Sequence, residues 1–139
     1  MNSLKSAQGG KSEEKNRLLR KMFEAAVDAA QPDSVLPEFI PDAPRGRTLV
    51  LGAGKASAAM ARSFEQNWRG GDLTGLVVTG YGHAVECENI DIATASHPVP
   101  DEAGQQAAQR MLEMASDLSE DDLVAVSYTH LTLPTICSV

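Results

Sequence analysis

A short turn with the sequence Gly52-Ala53-Gly54-Lys55 follows an apolar run at residues 48–51 and precedes small residues of helical composition. A strand that leads through Gly-x-Gly into a helix points backbone N–H groups and the positive end of the helix at one place, which favours binding of an anion. A lysine at a helix start opposes the helix dipole, at a cost of about 0.3 kcal/mol or more unless an anion compensates. We therefore expect Lys55 to face a negatively charged ligand.

The glycine turn departs from two common nucleotide-binding motifs. A Walker A loop needs a glycine and a Ser or Thr at the positions that Leu49 and Ala56 occupy here. The dinucleotide fingerprint needs Gly or Ala where Ser57 stands, and an acidic residue after the second strand, which ends in Thr79-Gly80. A nicotinamide cofactor is therefore disfavoured but stays open. So does the simpler interpretation that the glycines only allow a strand and a helix to pack closely.

A second candidate loop contains His97, which follows another predicted strand. Pro98 keeps His97 out of helical geometry at the carboxyl end of that strand, the edge of an open parallel sheet where ligands bind. We interpret this loop as part of the same site as the glycine turn, with a structural His97 as the alternative. Tyr81 and His83, after another strand, could reach the same crevice, and Asp101 is interpreted as a helix cap. No carboxylate cluster has metal-ligand spacing, so no metal ligand is assigned.

Strand and helix patterns alternate along the chain that positions these loops. Short apolar runs predict strands at residues 48–51, 76–79, 90–95 and 123–126. Helical spacing and composition predict helices at about 12–30, 53–68 and 101–116, the first of them capped by Ser12. A proline-rich connector at 32–47 separates the first helix from the first strand. This alternation predicts an α/β fold, with a Rossmann-like parallel sheet and flanking helices.

The chain divides by composition into three segments. Residues 1–11 offer nothing to bury and are predicted to form a disordered leader. Residues 12–126 are predicted to form a partial α/β domain. After Ser127 there is no charged residue, and the sequence changes abruptly to Thr, Leu and Pro, so we interpret residues 127–139 as an atypical tail that is foreign to the rest.

Composition and charge disfavour several classes of protein. No apolar stretch approaches the roughly 20 residues that cross a bilayer, and the polar N-terminus lacks the apolar core of a signal peptide. The two cysteines, Cys87 and Cys137, have no ligand-like spacing, which fits a cytoplasmic protein without a disulfide framework. The net charge is −7, concentrated after a basic first segment, and an acidic body disfavours nucleic-acid binding. We therefore expect neither a nucleic-acid partner nor a membrane, while the oligomeric state is undetermined.

Four motifs, taken together and in order, carry a resemblance to a known family: RKMFEAAVDAAQP, LVLGAGKASAAMA, VVTGYGHA and ASHPVPDEAGQQAA. They resemble the N-terminal part of the glycerate 2-kinase family, many of whose members are labelled hydroxypyruvate reductase. The resemblance covers about residues 14–126. It implies a two-domain enzyme that phosphorylates the 2-hydroxyl of D-glycerate with ATP and Mg²⁺, and of which this chain supplies an incomplete N-terminal part.

Carried over by residue, the resemblance implies that Lys55 is catalytic and neutralises charge on the transferring phosphoryl group or on the glycerate carboxylate. It implies that phosphate or substrate is bound by Gly52, Ala53, Gly54, Ser57, His97 and Pro98. The family has a Ser-Gly-Gly-Gly-Ser loop after its fourth strand, where this chain reads VSYTHLTLPT, so we expect the chain by itself to be an inactive fragment. Two alternatives stay open: an NAD(P)H-dependent hydroxypyruvate reductase, and a non-catalytic anion-binding module.

Overall fold

The computed structural model describes the backbone of residues 3–128 and the side chains of residues 12–128. The chain forms two compact units, which divide between Val35 and Leu36. The first unit contains helix α1, Ser3–Ala29, and the short helix α2, Pro32–Val35. The second contains a 3₁₀ turn, Leu36–Phe39, followed by alternating strands and helices.

Helix α1 begins earlier than its sequence pattern indicates. It starts at Ser3, so the helix start predicted at Ser12 is wrong, and residues 3–11 of the predicted disordered leader are helical. Gly9 and Gly10 each disfavour a helix by about 1 kcal/mol relative to alanine. Extension of an existing helix needs no new nucleus, however, and the helix continues through both glycines. The predicted connector also contains helical turns, and Pro32 is the first residue of α2, a position that suits proline because no intrahelical N–H is needed there.

Four parallel strands form one sheet in the order β3-β2-β1-β4. Their bounds are Thr48–Ala53 for β1, Leu73–Gly80 for β2, Ile90–Ala95 for β3 and Leu123–Tyr128 for β4. The chain adds β2 and β3 on one side of β1 and then returns to add β4 on the other side. The α/β fold with a parallel sheet, predicted from the alternating pattern, is confirmed.

Helices cover both faces of the sheet. Helix α3, Ser57–Asn67, packs on one face of the sheet. The core on this face consists of Val50, Ala61, Phe64, Val77 and Ile90. Helix α4, Glu102–Met114, lies on the other face, where a Cβ at Gly104 would be 3.3 Å from the Cβ of Ala95. Since all strands are parallel, β1, β2 and β3 end at the same edge, which is the edge that open α/β sheets use for ligands.

Hydrogen bonding between strands moves several boundaries from their predicted positions. Strand β2 begins at Leu73, within a segment predicted as a turn, because residues 73–75 pair with residues 48–50 of β1. Strand β1 continues through Gly52, which was predicted to lie in the turn, and through Ala53, which was predicted to begin the next helix. Strand β4 continues to Tyr128, so the first two residues of the predicted tail pair with β1. The remainder of that tail lies outside the described residues, and its foreign origin stays a prediction.

Candidate functional site

A cavity of about 560 Å³ opens at the carboxyl ends of β1, β2 and β3. It lies within the range of about 300–1,000 Å³ that is typical of small-molecule sites. Residues at or just after the ends of these strands line it: Ala53, Gly54, Lys55, Val78, Thr79, Gly80, Tyr81, His83, Ala95, Ser96, His97 and Pro98. The topology thus brings the glycine turn and the His97 loop to one cavity, as the parallel pattern predicts.

The turn after β1 is held in a conformation that requires glycine. Gly54 has a φ of 122°, which residues with a Cβ rarely adopt. Its N–H donates to the carbonyl oxygen of Val78 at 3.0 Å, which ties the turn to β2. Helix α3 then begins without a side-chain cap at Ala56 and without an acidic residue in its first turn. The Ser57 N–H donates to the carbonyl oxygen of Gly54 at 3.2 Å, and of the residues at this helix start only those up to Lys55 line the cavity. This end of α3 therefore contributes the partial positive charge of the helix dipole near the cavity.

Lys55 supplies a full positive charge at this end of α3. Its side chain is solvent exposed and lines the cavity. Among residues 12–128, no carboxylate forms an ion pair with its ammonium group. The lysine therefore stands just before α3 with its charge uncompensated by carboxylates of the described residues. Its catalytic role stays a prediction.

Two residues of the predicted set do not line the cavity. Gly52 faces β4, where a Cβ would lie 2.0 Å from the carbonyl oxygen of Ser127, so glycine is needed there for the close approach of two strands. Ser57 is buried, and its hydroxyl donates to the carbonyl oxygens of Gly54 at 2.5 Å and Val78 at 3.2 Å. The carbonyl of Ser57 in turn accepts a hydrogen bond from the Ser127 hydroxyl at 2.8 Å. Both residues hold the turn in place, and neither lines the cavity.

The loop after β3 forms another wall of the cavity. His97 and Pro98, which are joined by a cis peptide bond, both line it and are both exposed. His83, from the loop after β2, lines the same cavity. Two imidazoles therefore share the cavity with the Lys55 ammonium. An ammonium group together with imidazole N–H donors suits an oxyanion.

Asp101 connects two of the cavity loops. Its Oδ1 accepts from the N–H of Gly104 at 3.0 Å and caps α4, so its predicted role as a helix cap is confirmed. Its Oδ2 accepts from the Tyr81 hydroxyl at 2.8 Å and from the N–H of Ser96 at 3.0 Å. The Gly104 N–H, followed by the Tyr81 hydroxyl, lowers the pKa of Asp101 below its ordinary value. The same hydrogen bond and the carboxylate charge raise the pKa of Tyr81.

Sequence reasoning missed the contribution of Thr79 and Ser96 to the cavity. Both residues lie at strand ends, and the signal that identifies them is parallel pairing: Thr79 is opposite Thr94, and Gly80 is opposite Ala95. Residues at these positions must reach the same edge as the glycine turn. Tyr81 was a candidate from its loop, but its hydrogen bond to Asp101 joins residues 20 positions apart and has no sequence pattern.

Most of the chain matches a known protein family. Residues 18–129 match the family model described as "Domain of unknown function (DUF4147)". This range spans most of the chain, from α1 to the end of β4. The chain belongs to this family. The predicted resemblance to glycerate 2-kinases and so-called hydroxypyruvate reductases is also confirmed by the relatives of this DUF4147 chain.

Two named proteins and one solved structure are similar to this DUF4147 chain. A protein of Agrobacterium vitis, with the provisional name hydroxypyruvate reductase, is 49% identical over 78% of this chain and 25% of its own length. The D-glycerate 2-kinase of Thermotoga maritima is 31% identical over 78% of this chain and 26% of its own length. The crystal structure of a Thermotoga maritima glycerate kinase has a TM-score of 0.69 at 30% identity, over 82% of this chain and 28% of that protein. The chain therefore spans about a quarter of the length of the curated relatives that it matches.

Membrane-spanning helices and clusters of metal ligands are both missing from the described residues. No helix among them is long and apolar enough to cross a membrane. Within the same residues, no group of three or more His, Cys, Asp or Glu side chains is placed to hold a metal ion.

Proposed function

We propose that this chain supplies the oxyanion-binding part of a phosphotransferase that transfers phosphate from ATP to the 2-hydroxyl of D-glycerate. The observation that carries the proposal is the position of Lys55 on the cavity, beside the uncapped first turn of α3. Two relatives named for glycerate 2-kinase activity support the choice of reaction. Phosphoryl transfer depends mainly on positioning and on stabilisation of negative charge, and a lysine at the positive end of a helix supplies charge for the second.

The proposed binding residues are those of the predicted set that line the cavity. Ala53 and Gly54 bring the backbone of the turn close to the ligand, and Lys55 neutralises either the transferring phosphoryl group or the glycerate carboxylate. His97 and Pro98 form the opposing loop. In this proposal Gly52 and Ser57 hold the turn in place and do not contact the ligand.

The cavity fits the oxyanions of a nucleotide better than it fits a dedicated metal site. An uncapped helix end and a lysine are suited to phosphate oxygens. Mg²⁺ would be held mainly by those phosphate oxygens, since the described residues contain no cluster of metal ligands. When bound, ATP with Mg²⁺ supplies the phosphoryl group, and the residues of this chain bind and orient the reacting oxyanions.

A chimera tests the proposed reaction directly. In it, the matched segment of this chain replaces the corresponding 26% of the Thermotoga maritima D-glycerate 2-kinase. We expect ADP formation that requires D-glycerate, and a decrease in kcat of about 100-fold or more for Lys55→Met, because a donor to developing charge is removed. Arg69→Met is the matched control, since Arg69 is an exposed cation that does not line the cavity. Unchanged turnover in Lys55→Met would contradict the role assigned to this lysine.

A hydroxypyruvate reductase is the second candidate function, because two relatives from Agrobacterium vitis, 49% and 54% identical to this chain, carry that provisional name. The strand order also resembles that of nicotinamide-binding sheets. Against it, β2 ends at Gly80 and is followed by Tyr81, so no carboxylate stands where such sites bind the ribose hydroxyls. Oxidation of NADH by the same chimera with hydroxypyruvate, in the absence of ATP, would favour the reductase over the kinase.

The chain alone is proposed to bind oxyanions without turnover. It spans about a quarter of the relatives' length, and residues 127–131 read Ser-Tyr-Thr-His-Leu where the family resemblance implies a glycine-rich phosphate loop. Calorimetry of this chain with ATP, D-glycerate and inorganic phosphate separates this proposal from a complete enzyme. ATP-dependent phosphorylation of glycerate by the chain alone would contradict it.

A further inference from the structure

Thr79 has a hydroxyl group that the fold buries without a hydrogen-bond partner. The residue is 2% exposed, and its Oγ1 has no partner among the described residues. Buried hydroxyl groups are nearly always hydrogen-bonded, because an unpaired one loses the bonds that it makes to water. Each exception in a folded protein therefore needs a physical explanation.

The position of Thr79 connects this hydroxyl to the candidate site. Thr79 is the penultimate residue of β2 and lines the cavity. Strand alternation places its side chain on the same face as Val77, which packs with Ala61 of α3. The preceding carbonyl, that of Val78, accepts from the Gly54 N–H and from the Ser57 hydroxyl. The Thr79 side chain thus lies beside the turn that leads into α3.

A second unpaired threonine shows that an orphan hydroxyl alone does not identify a site. Thr48 is 1% exposed, and its Oγ1 also has no partner among the described residues. It begins β1 at the opposite edge of the sheet and does not line the cavity. Thr79 differs from Thr48 in lining the same cavity as Lys55, where a ligand is expected.

We propose that Thr79 is a further binding residue of this site and that its hydroxyl donates a hydrogen bond to an oxyanion of the bound substrate. The inference rests on the proposed function. The Lys55 ammonium lines the same cavity and has donors only, so a ligand shared with it must present acceptors, as a carboxylate or a phosphoryl group does. Rotation of about 120° around χ1 moves a threonine hydroxyl to the position that its methyl group or its Cβ hydrogen occupied, so the direction of the Thr79 hydroxyl can change without movement of β2.

Titration of this chain with inorganic phosphate, and separately with D-glycerate, tests the proposal through amide chemical shifts. Thr79→Val keeps the shape of the side chain and removes the hydroxyl, and Thr79→Ala is a second variant without it. We expect each to weaken binding about tenfold, because the lost hydrogen bond joins a neutral donor to a charged acceptor. Thr79→Ser, which keeps the hydroxyl, and the matched control Thr48→Val are expected to bind like the unsubstituted chain.

The arms of this experiment separate the possible outcomes. Weaker binding of phosphate alone assigns Thr79 to a phosphoryl group, and weaker binding of glycerate alone assigns it to the carboxylate; either result supports the proposal. If Thr79→Val binds both ligands normally while Lys55→Met binds them poorly, the inference is overturned and the proposed function stands. If Lys55→Met also binds both normally, or if the unsubstituted chain binds neither, the oxyanion site itself is refuted and both proposals fail.

Discussion

Replacement of Gly52 by alanine tests whether this glycine serves the fold or the ligand. A Cβ at this position would lie 2.0 Å from the carbonyl oxygen of Ser127 and 2.9 Å from its Cβ, whereas real Cβ atoms essentially never approach closer than 3.0 Å. Strand β4 must therefore move away from β1 by about 1 Å, which strains the hydrogen bond from the Ser127 hydroxyl to the Ser57 carbonyl. Overpacking costs about 1–3 kcal/mol and a lost hydrogen bond about 1 kcal/mol, so Gly52→Ala is expected to lower the free energy of unfolding by about 2–4 kcal/mol.

Urea unfolding followed by fluorescence measures this loss. Trp68 is the single tryptophan of the chain and stacks on Phe64 in the α3 core, with ring centroids 5.3 Å apart, so it reports on the unit that contains β1 and β4. Gly71→Ala is the matched control, because a Cβ at Gly71 meets nothing within 4 Å. It is expected to change stability by less than about 1 kcal/mol, in the stabilising direction. A Gly52→Ala variant as stable as the Gly71→Ala control would refute the packing role of Gly52.

The remaining predictions concern buried or paired side chains. Thr79→Val and Thr48→Val are each expected to raise the free energy of unfolding by about 1 kcal/mol, since each removes an unpaired buried hydroxyl; a loss of stability in urea would show that the hydroxyl has a partner. The lowered pKa of Asp101 means that its carboxylate stabilises the fold above its ordinary pKa of 3.8, and that this contribution is lost as pH falls through the lower pKa of the folded state. Asp101→Asn should therefore shift the urea midpoint downward at pH 7, with a difference from the unsubstituted chain that shrinks in acid; a shift independent of pH would contradict this. Burial, and then the charge of Glu65, raises the pKa of the Cys87 thiol from 9.0 to about 11, so its contribution to stability is lost as pH rises from 9 toward 11. In a Cys137→Ser background at pH 8, alkylation of Cys87 is expected to be about 100-fold slower than that of an unperturbed cysteine, and equal rates would contradict its burial.

Two elements that depend on neighbouring residues in the sequence could be predicted to within a residue or two. Strand β3 occupies the predicted residues 90–95, and Asp101 caps α4 where the acidic residue precedes a helical pattern. The segment 73–75 could not be assigned, because its Gly-rich surroundings favour a turn while pairing with β1 makes it a strand. Glycine is needed at position 75 because β2 pairs with β1, which would bring a Cβ there to 2.4 Å from the carbonyl oxygen of Val50.

The candidate site was predictable where chain direction alone determines it. A turn after β1 and a loop after β3 must meet at one edge of a parallel sheet, and Lys55 and His97 do line one cavity. The functions of Gly52 and Ser57 could not be read from the motif, because each depends on Ser127, a residue on a strand about 70 positions later. The unpaired hydroxyl of Thr79 is likewise a property of three-dimensional packing, since threonine at a strand end has many satisfied arrangements.

The most direct measurement is the amide chemical-shift titration of this chain with inorganic phosphate, comparing Lys55→Met with the control Arg69→Met. We expect saturable shifts centred on Gly54 and the first turn of α3, affinity at least about tenfold weaker in Lys55→Met, and no change in Arg69→Met. Shifts that are absent, that lie away from this turn, or that persist with equal affinity in Lys55→Met would contradict the central claim that the start of α3 and its lysine bind an oxyanion.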